Sequence, residues 1–60
     1  MQPYSAYFLD STGTLARVEP IYAATDADAL SAAAARLNKS EHAFVEVRQS
    51  ATRIGRVSKG

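Results

Sequence analysis

His42 is the chain's only histidine, and no cysteine is present, so it is the one side chain whose ordinary titration lies near neutral pH. General acid–base work or metal binding would need partners for it. Glu41 adjoins it, but adjacent side chains on a strand point to opposite faces, and no Ser, His and Asp arrangement at a strained turn can be recognised. Asp10, Glu19, Asp26, Asp28, Glu41 and Glu46 are scattered, and turn or cap duties account for Asp10, Asp26 and Asp28. None makes a pair spaced for hydrolysis. Gly13 and Gly55 stand alone, so no phosphate-cradling loop is present. One helix over a small sheet also leaves little room for a ligand cavity of roughly 300–1,000 Å3. The expectation is no enzyme, no metal and no cofactor.

Two other sets of residues point to contacts instead. Arg48, Arg53, Arg56 and Lys59 fall in the last part of the chain, on what reads as a two-stranded ribbon. Such a ribbon would track phosphates or enter a major groove. Arginine and lysine on a solvated strand also guard against edge-to-edge pairing, and Phe44 is the only aromatic side chain nearby. The second set is aromatic: Tyr4, Tyr7, Phe8 and Tyr22 all lie within the first 22 residues.

The elements that must position these residues are organised around one helix, predicted over Thr25–Leu37. Thr25 is a capping residue for the amide of Asp28, and Asp26 and Asp28 place negative charge at the first turn. Leu30, Ala33, Ala34 and Leu37 recur at helical spacing, with Ala27 extending the stripe, and Asn38 is a candidate left-handed terminator. Before the helix, the alternation of Tyr4–Leu9, the turn Asp10-Ser11-Thr12-Gly13 and the segment Thr14–Ala23 read as a hairpin, with Pro20 marking an edge. After it, Ala43–Gln49 and Arg53–Val57 read as a second hairpin across the loop Ser50-Ala51-Thr52, with a bulge at Gly55 bringing Ile54 and Val57 to one side. The last residues, Ser58-Lys59-Gly60, are expected to fray. The fold class that follows is α+β: one domain over residues 1–60, a single antiparallel sheet with one helix on one face, in the order ββαββ.

One helix covers one face only. If Tyr4 and Phe8 pack beneath it, Tyr7 and Leu9 lie on the opposite face, where Leu15 and Ile21 join them and Phe44 extends the patch. An exposed apolar and aromatic face on so small a chain marks a partner site. Tyr7, Leu9, Leu15, Ile21 and Phe44 are therefore the candidate protein-binding residues, and Arg48, Arg53 and Arg56 the candidate nucleic-acid contacts.

Sixty residues bury only about 60% of the surface that the unfolded chain exposes, and no disulfide or thiolate site can staple them. Self-association is the remaining route to stability, so a homodimer or a subunit docked on a larger protein is expected. Net charge is +1, but residues 1–30 sum to −3 and residues 31–60 to +4, so the chain is polarised along its length. No apolar run approaches the roughly 20 residues of a membrane helix, and Met1-Gln2-Pro3 lacks the pattern of a signal peptide. The expectation is a cytoplasmic protein without a membrane partner.

The pattern Tyr4-x-x-Tyr7-Phe8-Leu9-Asp10-x-x-Gly13, with Arg17, an acidic alanine-rich helix and Gly55-Arg56-Val57, resembles a group of short, uncharacterised bacterial ββαββ proteins. That resemblance covers most of the chain and implies the fold without an activity. Thr25 through Leu30, leading into an alanine-rich helix after a hairpin, is also similar to the corresponding element of HicB-type antitoxins. This second likeness implies antitoxin-like inhibition of a partner protein through the basic C-terminal hairpin, beside the nucleic-acid reading of Arg48, Arg53 and Arg56.

Overall fold

The computed structural model describes residues 1–59. It is an α+β fold with strands β1 (Gln2–Leu9) and β2 (Leu15–Ala23), helix α1 (Asp26–Asn38), and strands β3 (Phe44–Gln49) and β4 (Thr52–Ser58). All four strands form one antiparallel sheet in the order β2-β1-β3-β4. Both β2 and β3 pair with β1, so they run in the same direction on either side of it, and α1 connects them across one face.

The helix begins as its sequence predicts. Thr25 is extended at φ −136° and ψ 165°, and its hydroxyl accepts from the Asp28 amide at 3.1 Å. The end differs: Asn38 is the last helical residue, and Lys39 caps the helix at φ −93° and ψ 0°, without a left-handed residue. The Lys39 amide donates to the Arg36 carbonyl at 3.2 Å, while the Ser40 amide and hydroxyl donate to that of Leu37 at 3.0 and 2.9 Å. Orphan carbonyls thus find partners without a backbone reversal.

In the first turn, the Gly13 amide donates to the Asp10 carbonyl and the Asp10 amide to the Thr14 carbonyl, both at 3.0 Å, with Gly13 at φ 85°. The Asp10 carboxylate fills the loop, accepting from the amides of Thr12 and Thr14 and from the Thr12 hydroxyl at 2.6 Å. The Thr12 hydroxyl and these amides favour the ionised form and hold the carboxyl below its ordinary 3.8. A depressed pKa contributes stability that is present above 3.8 and lost as pH falls through the folded value. Asp10→Asn keeps an acceptor but cannot titrate. In thermal melts from pH 5 to pH 2, its Tm is expected to fall less than that of the natural chain, and parallel falls would show that Asp10 does not contribute.

The hairpin register changes just beyond this turn. Leu9 pairs with Leu15 but Phe8 pairs with Arg17, so Ala16 is an extra residue and everything beyond it is shifted by one position. Ile21 therefore lies opposite Tyr4 on the helix side and is 1% exposed. Its expected place on the opposite face is corrected. Pro20, opposite Ser5, sits on edge strand β2, where a missing donor is tolerated.

The second hairpin turns through Ser50 and Ala51 alone, with Ser50 at φ 55°. Val47 pairs with Gly55 and Arg48 with Arg53, leaving Ile54 as the bulged residue beside Gly55. The bulge has the expected effect, because Ile54 and Val57 both pack against the core. Gly55 also lies against the helix: a Cβ there would lie 2.9 Å from Leu30 Cδ2. Lys59 is tied down rather than frayed, its amide donating to the Ala43 carbonyl at 2.9 Å and its ammonium to the Ser40 carbonyl. Gly60 lies outside the described residues.

The core is the layer between helix and sheet. Tyr4, Ala6 and Phe8 of β1, Ile21 and Ala23 of β2, and Val45 and Val47 of β3 are buried against Ala29, Ala33 and Leu37 of α1. Leu30 and Ala32 flank that stripe, Ala34 is half-buried and Ala27 is exposed. The Tyr4 hydroxyl donates to Asp26 Oδ1 at 2.7 Å, joining the sheet to the start of the helix, and this bond, then burial and the Asp26 charge, raise its pKa above the usual 10.0. No described helix is long and apolar enough to cross a membrane.

Candidate binding face

The pleat sends the residues between the core positions to the other side of the sheet, where no helix lies. Three cross-strand rows follow from the register. Pro20, Ser5, Arg48 and Arg53 form the first, Val18, Tyr7, Glu46 and Arg56 the second, and Leu15, Leu9, Phe44 and Ser58 the third. Tyr22 and Pro3 pair beyond the first row, on β2 and β1. Tyr7, Leu9, Leu15 and Phe44 thus share the helix-free face, and Arg48, Arg53 and Arg56 stand on it too. Of the expected partner residues, only Ile21 lies elsewhere.

The face has two unlike halves. Its β1–β2 half presents apolar side chains to solvent: Leu15 is 52% exposed, Val18 49% and Tyr22 66%. Val18 and Tyr22 were not among the residues expected there, because the bulge that carries Ile21 inward carries them outward. Its β3–β4 half is basic. Glu46 accepts from Arg48 Nε at 2.6 Å and lies 3.6 Å from Arg53 Nε, so one carboxylate serves two guanidinium groups. Arg48 stands over the Tyr7 ring at 5.6 Å from its centre, and Arg56 over Phe44 at 4.7 Å. Two aromatic rings in the middle of the sheet are thereby capped by arginines from β3 and β4.

The other charges are placed away from this face. Asp26 and Asp28 occupy the first turn of α1, and Asp10 is folded into the first hairpin turn. Glu19 is on the helix side of β2, paired with Arg17 at 2.6 Å and Arg36 at 3.0 Å. The charge split along the sequence therefore becomes a split in space, since α1 and the sheet surface it leaves bare carry opposite excesses.

His42 is half-buried beside the sheet, its ring 5.4 Å from that of Phe8. Among the described residues no group of three or more histidines and carboxylates converges as metal ligands would. At one end of the sheet, Gln2, Pro3, Tyr4, Pro20, Gln49 and Thr52 help to line an open concavity of about 620 Å3. The expectation of too little room is corrected in volume, though the space is a shallow groove rather than an enclosed pocket. Its one titratable lining group, Tyr4, turns its hydroxyl to Asp26. Comparison with protein-family models, curated proteins and solved structures finds no match to this chain.

Proposed function

We propose that the chain is a non-enzymatic docking protein that uses the β1–β2 half of its helix-free face to bind another protein surface, as a homodimer or as a small subunit of a larger partner. The observation that carries this reading is the solvent exposure of Leu15, Val18 and Tyr22 beside Leu9 on a single-layered side of the sheet. Burying such a patch is favourable at about 25 cal/mol per Å2, and apolar and aromatic residues of this kind form the centres of interfaces. A lone core under one short helix leaves that gain important to a chain of 60 residues.

Light scattering over a concentration series tests the self-associating form. A molar mass that rises toward the dimer is expected, and the Leu15→Ser, Tyr22→Ser double variant is expected to stay monomeric while keeping its circular dichroism. If the natural chain is a monomer throughout, the docking form remains, and tagged chain is used to recover a partner from the native host. A double variant that associates, or recovers the same partner, as the natural chain does would overturn the reading.

A further inference from the structure

The β3–β4 half of the face holds an arrangement that protein docking on β1–β2 does not explain. Arg48 and Arg53 are direct cross-strand partners, a pairing of like charges that costs stability. Glu46 offsets part of this, but three arginines against one carboxylate leave the half with a surplus of two positive charges. Beneath Arg48 and Arg56 lie two aromatic rings, Tyr7 and Phe44, in adjacent rows of the sheet. We propose that this half is a binding site for single-stranded nucleic acid, in which Arg48 and Arg56 swing off the rings to take backbone phosphates together with Arg53, and the uncovered Tyr7 and Phe44 rings stack against bases.

Each feature selects among polyanions. The arginines demand negative charge, and the guanidinium fork matches phosphate oxygens. The rings demand flat apolar partners, which a single strand offers and a duplex hides inside its own stack. An open sheet with no wall beside it admits a strand lying across β1, β3 and β4. The acidic first turn of α1 and the Asp10 turn lie off this face, so the field of the molecule turns a polyanion toward the arginines. Glu46 holds Arg48 and Arg53 in place before binding and competes with phosphate during it. An acidic protein segment would meet the charge but leave the rings without stacking partners.

The site uses different side chains from the docking patch, so the two readings fail separately. The test is fluorescence anisotropy of labelled oligo(dT) and oligo(U) of about ten nucleotides, with a duplex of similar length for comparison. Both single strands are expected to bind, weakening about tenfold between roughly 50 and 200 mM KCl, as for two to three neutralised phosphates. Arg48→Gln with Arg56→Gln is expected to flatten the logarithmic salt slope by about 1.4, whereas Glu46→Gln is expected to tighten binding and steepen it by about 0.7. Tyr7→Leu and Phe44→Leu are each expected to weaken binding about 5- to 150-fold with the slope unchanged. Leu15→Ser with Tyr22→Ser is expected to leave binding intact. No binding at low salt, tighter binding to the duplex, or binding indifferent to Tyr7→Leu and Phe44→Leu would each overturn the proposal. These outer-face side chains stand outside the core, and circular dichroism of each variant separates lost binding from lost fold.

Discussion

Phe8→Ala is expected to remove most of the chain's stability at room temperature. Phe8 is among the largest fully buried side chains, at 1% exposure, on a central strand with Leu37 and Val45 in the same core cluster and the His42 ring against it. Truncating a buried phenylalanine to alanine costs about 3–5 kcal/mol, through lost transfer energy and the cavity left behind. A domain of this length has roughly 3–9 kcal/mol of stability in all. The substitution removes a large fraction of that, with no disulfide to retain the fold. Far-UV circular dichroism and urea denaturation are the measurements. Phe44→Ala is the control, since Phe44 lies on the other face of the same sheet and is only half-buried. A cooperative transition for Phe8→Ala within about 1 kcal/mol of the natural chain would mean that the layer between α1 and the sheet is not the main core.

Why β1 was legible and β2 was not has one physical cause. In β1, Tyr4, Ala6 and Phe8 alternate with Ser5, Tyr7 and Leu9, and the structure buries the first set. Val45 and Val47 give the same reading in β3. For β2 the turn chemistry is also correct, and Asp10 with Gly13 fixes the closing pair. A ladder continued from that pair without interruption would set Ala6 opposite Val18. The extra residue Ala16 sets Ala6 opposite Glu19 instead, and one added residue exchanges the two faces for the rest of the strand. Ile21 and Ala23 gain burial from that exchange, and Glu19 reaches Arg36 of the helix. Alternation along one strand cannot reveal such a slip, because it depends on which face finds the better partners across the fold. The arginines were legible as a cluster, but their position over Tyr7 was not. That contact joins residues 41 positions apart through the pairing of β1 with β3, which no local pattern encodes.

The two halves of the bare face also place opposing demands on any self-association. Two copies meeting face to face over their whole sheets would bring six arginines and two Glu46 carboxylates together, which is unfavourable in a desolvated interface. Contact confined to Leu15, Val18 and Tyr22 avoids that encounter and leaves the arginines open to solvent. A protein arranged this way would associate through one edge of the face while offering the other, and added salt would favour association by screening the residual repulsion.

Leu37→Ala should cost far more than the same change at Leu30, although the two leucines occupy equivalent places in the sequence pattern. Leu37 is fully buried, in line with Ala33 and Ala29 one and two turns before it, and is the only large side chain on that stripe. The loss is expected to be about 2–5 kcal/mol, because its neighbours on the helix are alanines that cannot reach into the space. The Leu37 carbonyl also receives the Ser40 hydroxyl and amide, so the backbone at the helix end is held and cannot collapse inward to fill the cavity. Leu30 lies half-buried at the rim of the helix, against Gly55. A side chain there keeps part of its surface in water before truncation and leaves an open groove after it, so the expected cost is about 1–2 kcal/mol. Urea midpoints of the two variants decide the matter. Equal losses would mean that the helix packs through Leu30, Ala33, Ala34 and Leu37 as its spacing suggests, rather than through Ala29, Ala33 and Leu37.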